Sequence, residues 1–194
     1  MSRRRGPATA CASFPPIAGR APRVLVLGSM PGARSLAEQR YYANPHNHFW
    51  RFIGGICGFD PAAPYTTRIA QLKRCGIAVW DVLAQCERSG SLDGGIVRDT
   101  EVPNEIAAFV ARHRSLRAIA LNGGKAAQSF RRYIRDALSD EDRARVLVLE
   151  LPSTSPANAS VPLARKLAAW SRVGAILRDV APRRERTRRK AGHD

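Results

Sequence analysis

Four short segments of this chain place chemically capable residues at close spacing. The densest is Tyr41-Tyr42-Ala43-Asn44-Pro45-His46-Asn47-His48-Phe49-Trp50, with four aromatics, two asparagines and two histidines in ten residues. The others are Gly28-Ser29-Met30-Pro31-Gly32, Asn122-Gly123-Gly124 and Pro152-Ser153-Thr154-Ser155-Pro156-Ala157-Asn158. An aromatic ring stacks on a nucleobase, and a carboxamide reads a base edge or holds a water. Hydroxyls donate to phosphate without reading sequence. No Gly-Lys-Ser/Thr follows the Gly28 turn, no G-x-G-x-x-G follows the first apolar run, and no G-x-S-x-G elbow occurs. His46 and His48 sit two apart with no carboxylate beside them, which is not a metal set.

Each of these residues also has a purely structural reading. Phe49 and Trp50 suit the start of a helix that enters the core. Asn47 ahead of them suits an N-cap, as does Asn122 before two glycines. Asp81 closes an apolar run and also reads as a helix cap. His46 reads as a surface-loop residue. Lys125 sits at a helix start, where it could meet a phosphate. Gly28, Pro31 and Gly32 suit a tight turn whose backbone N–H groups approach a ligand.

The elements that must position these residues are legible as an alternation. Short apolar runs over 23–27, 77–80, 117–121 and 146–150 read as buried strands. Helical patterns follow at about 103–110, 125–138 and 161–179, and residues 29–76 read as a long loop and helix region. Alternating strands and helices predict a parallel sheet covered on both faces, an α/β chain. In such a sheet the ligand lies beyond the carboxyl ends of the strands. The Gly28 turn, Asp81, Asn122 and the Pro152–Asn158 segment all follow strand ends.

The 194 residues suit one domain with tails. No apolar run is long enough for a membrane helix, and no secretory leader follows the basic start, so a cytoplasmic protein is expected. Net charge is +16; the two ends carry +3 and +4 of it, which leaves +9 on the body. A basic body attracts phosphate backbones, although coding bias toward Arg and Ala produces the same composition. Cys11, Cys57, Cys75 and Cys86 contain no C-x-x-C pair. All four are expected as buried or incidental thiols, with no disulfide and no metal. Residues 1–20 read as a poorly ordered basic arm that ends in a docked Phe14-Pro15-Pro16-Ile17, and residues 182–194 as a basic tail.

Taken together, the Gly28–Gly32 turn, Tyr41–Trp50, Leu121-Asn122-Gly123 and Leu151–Asn158 resemble the uracil-DNA glycosylase superfamily, most closely its hypoxanthine (deoxyinosine) DNA glycosylase family. The resemblance runs from about residue 14 to 180. It implies a three-layer α/β/α sandwich with a four-stranded parallel sheet, formed by a catalytic domain over 21–181, that hydrolyses the N-glycosidic bond of a deaminated base flipped out of DNA. Many members activate water with an Asn or Asp in the first motif; here Met30 stands at that place and cannot. The resemblance instead makes Asn47 the catalytic amide, Asn122 the base-reading amide and Tyr42 the ring that stacks on the base. Gly28 and Met30 count with them as base-binding positions. Ser153, Thr154, Ser155, Pro156 and Asn158 fall in the loop that grips DNA, with Lys125 as a further phosphate contact.

Physical chemistry supports that reading. Hypoxanthine and uracil present a ring N–H beside a carbonyl, whereas adenine and cytosine reverse the pattern. One carboxamide held in a fixed orientation separates the two. Asn47 is no general base, so its part is to position water. With no lysine implied as a nucleophile, a monofunctional glycosylase is expected. It should need no cofactor and no obligate protein partner, and should act as a monomer on DNA containing deaminated bases. Three rival readings stay open: a uracil- or mismatch-directed glycosylase, a non-catalytic nucleic-acid-binding protein, and an α/β enzyme of phosphorylated metabolites.

Overall fold

Four apolar runs that end on Gly, Asp, Asn or Leu become the central sheet. The structure, a computed structural model, describes residues 8–179. The expected tail over 182–194 lies outside the described residues. In chain order the strands are β1 (Thr9–Ala12), β2 (Val24–Gly28), β3 (Ile77–Asp81), β4 (Leu83–Arg88), β5 (Val102–Pro103), β6 (Ala118–Asn122) and β7 (Leu147–Leu151). The helices are α1 (Ala33–Glu38), α2 (Phe49–Cys57), α3 (Tyr65–Cys75), α4 (Ile106–Arg112), α5 (Gly124–Tyr133), α6 (Asp140–Arg145) and α7 (Leu163–Arg178).

The main sheet is all parallel, in the order β3-β2-β6-β7. Every residue of β2, β3 and β6 is buried. That explains their unbroken apolar runs, because a parallel strand covered on both faces has no solvent side. The chain steps from β2 to β3 in one direction, then crosses back to β6 and β7. Right-handed crossovers therefore place α1–α3 on one face and α4–α6 on the other. Helix α7 returns to pack on α2, β2 and β7. The expected α/β/α sandwich is the observed architecture.

Three features differ from the sequence reading. Residues 9–12 lie inside the stretch read as a poorly ordered arm, yet they form β1, which pairs antiparallel with β4. The second difference is the three-stranded sheet that β1, β4 and β5 make, for which no strand over 83–88 or 102–103 was expected. The expected docking of Phe14–Ile17 is present: Ile17 exchanges backbone hydrogen bonds with Val79 of β3, and the Phe14 carbonyl accepts from Trp80 Nε1 and Tyr41 Oη, each at 3.0 Å. This segment covers an otherwise open sheet edge.

The third difference is a disulfide. Cys57 and Cys75 are bonded, with Cα atoms 5.8 Å apart, whereas four free thiols were expected. The physical reason is helix pairing: α2 and α3 pack together, and each ends on its cysteine just before a left-handed glycine, Gly58 or Gly76. A separation of 18 residues carries no motif that would announce this. Cys11 and Cys86 are free.

Candidate active site

The strand order reverses between β2 and β6, and a cleft of about 550 Å³ opens there beyond the carboxyl ends of the strands. Gly28, Asp81, Asn122 and the segment after β7 all line it, together with Tyr42 and Asn47. Four strand ends that are far apart in sequence thus converge as expected.

Gly28 closes β2 in register with Asp81 of β3. A Cβ on Gly28 would lie 2.3 Å from Asp81 Oδ1 and 3.5 Å from Tyr42 Oη. Only a glycine lets the carboxyl and the phenol share that corner. Asp81 is 3% exposed. Its Oδ2 accepts from Ser13 Oγ at 2.9 Å, and its backbone carbonyl accepts from Asn104 Nδ2 at 2.9 Å. Burial pushes the carboxyl up to about 7; the Ser13 hydrogen bond and Arg88 act in the opposite direction, and the charge of Asp93 adds to the rise. The reading of Asp81 as a helix cap fails, because β4 rather than a helix follows it.

Asn122 is not a helix cap either. The residue at that place on α5 is Gly123, and no side chain caps the helix. The Asn122 amide is instead held from both ends. Its Oδ1 accepts the Thr154 backbone N–H at 2.9 Å. Its Nδ2 donates to Thr154 Oγ1 at 3.0 Å and to Tyr42 Oη at 3.1 Å. The Thr154 N–H admits only an acceptor, so the oxygen is assigned and the amide cannot flip without losing that bond. Both amide hydrogens are then occupied, and the remaining capacity is the second lone pair of Oδ1.

Tyr42 stands at φ +53° and stacks on Phe49, with ring centroids 3.7 Å apart and planes 14° from parallel. Phe49 and Trp50 enter the core as expected. Asn47 half-realises its structural reading: Oδ1 accepts from the Phe49 N–H at 3.0 Å, at the first residue of α2. Among the described residues its Nδ2 makes no hydrogen bond, and the side chain lines the cleft. His46 is exposed, as a surface-loop residue should be.

The segment after β7 divides into two parts. Thr154 is 1% exposed and ties Asn122 to α2, since its carbonyl accepts the His48 N–H at 3.0 Å. Its hydroxyl accepts from Asn122 Nδ2 and keeps its own hydrogen; burial, rather than that bond, withdraws it from the surface where a phosphate would lie. Ser153 and Ser155 accept backbone N–H groups two residues ahead, and Pro156 is exposed at the cleft. Asn158 gives its backbone carbonyl to Lys166 Nζ at 2.6 Å. Lys166 is buried and its ammonium is pushed down by that burial. Sequence reasoning missed Lys166, although its spacing with Trp170 and Val173 puts it in the apolar stripe of α7.

One other expectation shifts. Lys125 lies outside this cleft and pairs with the buried carboxylate of Glu101. Met30 packs against Leu83 and Cys86 and also lines the cleft. Asp93, also missed, accepts from Ser29 Oγ at 2.6 Å beside the cleft; the Asp-Gly-Gly turn at 93–95 was its only sequence signal. Gly123 sits at φ +102°, and a Cβ there would meet Ser153 Cβ at 2.8 Å. Gly123→Ala should therefore cost about 1–3 kcal/mol and push the Ser153 segment off β6. A urea midpoint equal to wild type would show that the segment relaxes around the new methyl.

The site thus holds one amide fixed at both ends, Asn122, and two carboxyls, Asp81 and Asp93, of which burial pushes Asp81 up to about 7. Among the described residues no group of three or more His, Cys, Asp or Glu could hold a metal ion, and no helix is long and apolar enough to cross a membrane. Such a site suits recognition of a polar ring edge and positioning of water.

Comparison with known proteins agrees with this arrangement. Residues 15–174 match the family described as the uracil DNA glycosylase superfamily. Over 116 residues the chain is 35% identical to the hypoxanthine DNA glycosylase of Methanosarcina barkeri, covering 59% of this chain and 72% of that protein. The hypoxanthine DNA glycosylase of Methanosarcina acetivorans is similar to the same extent. In structure the chain is similar to a Methanosarcina acetivorans protein solved by NMR and named as a candidate uracil DNA glycosylase. The TM-score is 0.73 at 29% identity, over 87% of this chain and 99% of that one.

Proposed function

The chain belongs to the uracil DNA glycosylase superfamily, and within it we propose a monofunctional glycosylase that removes hypoxanthine from DNA, with uracil as a second substrate. The observation that carries this reading is the pinned amide of Asn122. With both Nδ2 hydrogens engaged and Oδ1 fixed by the Thr154 N–H, the amide has only an acceptor left to offer. Hypoxanthine and uracil both present a ring N–H to such an acceptor; adenine and cytosine present a ring nitrogen lone pair in the same place. Two opposed lone pairs in a closed site cost about 1–3 kcal/mol, which favours the deaminated base.

The rest of the reading follows the cleft. A base reaches it only when flipped from the stack. Tyr42 gives one face to Phe49, which leaves the other for the base. Breaking the glycosidic bond leaves positive charge on the sugar, and a water near the anomeric carbon completes hydrolysis. Asn47 orients that water through its Nδ2 or the second lone pair of Oδ1, a positioning effect rather than proton abstraction. None of the residues lining the cleft is a lysine, which supports water rather than an amine as the nucleophile. The Ser153–Asn158 segment supports the DNA beside the flipped nucleotide, through backbone and hydroxyl groups at its exposed end. The names of the similar proteins support both bases as substrates.

The test is excision from duplexes that carry a single hypoxanthine, a single uracil or neither. Abasic product from the hypoxanthine duplex, none from the undamaged one, and no strand cleavage without alkali is the expected result. Product from uracil alone would move the substrate assignment. Tight, salt-sensitive binding with no product from either would favour a non-catalytic DNA-binding protein.

A further inference from the structure

We propose that Asp81 hands a proton to a ring nitrogen of the departing base, which makes a purine the substrate class this site serves best. The inference rests on the glycosylase reading above and adds a residue and a step to it.

The geometry comes first. Asp81 lines the same cleft as Tyr42, Asn47 and Asn122. Its Oδ2 is held by Ser13, while Oδ1 makes no hydrogen bond to any described residue and lies across the face of Gly28. Oδ1 is not among the fully buried side-chain atoms left without a partner, so it opens to the cleft, where water or a substrate can reach it. The groups around it come from every neighbouring element. Ser13 comes from the N-terminal segment, and Tyr41 and Tyr42 from the stretch before α2. Arg88 is on β4, Asp93 on the loop after it, and Asn104 on the segment before α4. The Asp93 charge and the low-dielectric surroundings favour the protonated form; Arg88 and Ser13 act against it, and burial wins. The carboxyl therefore carries its proton up to about pH 7.

The step balances without another reactant. The bond from the anomeric carbon to the base nitrogen breaks, and its electron pair goes to the base. The Asp81 carboxyl gives its proton to a basic ring nitrogen, so the purine leaves neutral. Water bonds to the anomeric carbon and releases a proton, which restores the carboxyl. Uracil has no basic ring nitrogen and leaves as an anion delocalised over its two carbonyls. It gains little from the acid, so the contribution of Asp81 is selective for hypoxanthine.

The experiment is single-turnover excision from hypoxanthine and uracil duplexes between pH 5.5 and 9, with wild type and Asp81→Asn. The amide keeps the shape and can still accept from Ser13. On hypoxanthine the wild-type rate should fall about tenfold per pH unit above an inflection near 7. The variant should be about 10²-fold slower at pH 6 and should lack that limb. On uracil the variant should lose far less, so the hypoxanthine-to-uracil rate ratio should fall with it; a thermal melt at the wild-type midpoint shows that the variant is folded. A variant that keeps the wild-type rate and pH limb on hypoxanthine overturns the proposal. So does an equal loss on both duplexes, which would mark Asp81 as a positioning residue. A wild type that releases neither base defeats the glycosylase reading itself, and this step falls with it.

Discussion

Asn47→Ala should lose about 10²-fold or more of the excision rate on a hypoxanthine duplex while costing only about 1 kcal/mol of folding stability. The two numbers come from two jobs of one side chain. Oδ1 accepts the Phe49 N–H at 3.0 Å at the start of α2, and loss of such a cap costs about 1 kcal/mol. The rest of the amide lines the cleft, where orientation of the attacking water is worth far more than a cap, because positioning contributes several kcal/mol to a barrier. Asn47→Ser separates the jobs. Serine caps helices well, so stability should return toward wild type, but the shorter side chain cannot hold the water and the rate should stay low. Chemical denaturation and single-turnover kinetics on the same three proteins would measure both. An alanine variant within a few-fold of the wild-type rate would reduce Asn47 to a cap and remove water positioning from the mechanism.

That dual role illustrates what could be read before the fold was known. The strand ends were legible because a fully buried parallel strand must read as an apolar run, and the residue that breaks the run marks the carboxyl edge. Gly28, Asp81 and Asn122 sit at those edges, so the sequence placed them together without any contact information. It was less able to say what each does there. A cap and a site residue use the same side chains at the same offsets from a helix. Asp81 and Asn122 both read as caps; the structure assigns the α5 start to Gly123 and follows Asp81 with a strand. The elements that went unread share a physical cause. The strand β1 is four residues long, largely exposed, and exists only because β4 is there to pair with it, so no local pattern announces it. Ser13, which holds Asp81, arrives with it. The bond between Cys57 and Cys75 and the pairing of Lys125 with Glu101 depend on helix packing and loop return in the same way. Charge alone could not reveal that Lys125 is already neutralised.

Asn122→Ala should remove hypoxanthine excision about as completely as the loss of Asn47, but with a different signature. Three partners lose their bonds at once. The buried Thr154 N–H loses its acceptor, and the hydroxyls of Thr154 and Tyr42 lose their donor. An unsatisfied buried N–H alone costs about 1–3 kcal/mol, so this variant should be clearly less stable than Asn47→Ala. The ring N–H of the base would also lose its acceptor, so the loss should appear in discrimination as well as in rate: the ratio of hypoxanthine to undamaged adenine excision should fall. Thr154→Val provides the control. Valine keeps the shape and the backbone N–H that fixes Oδ1, and it removes only the hydroxyl that accepts from Nδ2. Thr154 is buried and reaches no base in this reading, so a loss of about tenfold there, with Tyr42 still holding the amide, would mean that orientation is what the network supplies. A valine variant as inactive as Asn122→Ala would instead mean that the Thr154 hydroxyl itself meets the substrate. A valine variant at full rate, paired with an inactive Asn122→Ala, would leave the backbone N–H and Tyr42 as sufficient to hold the amide.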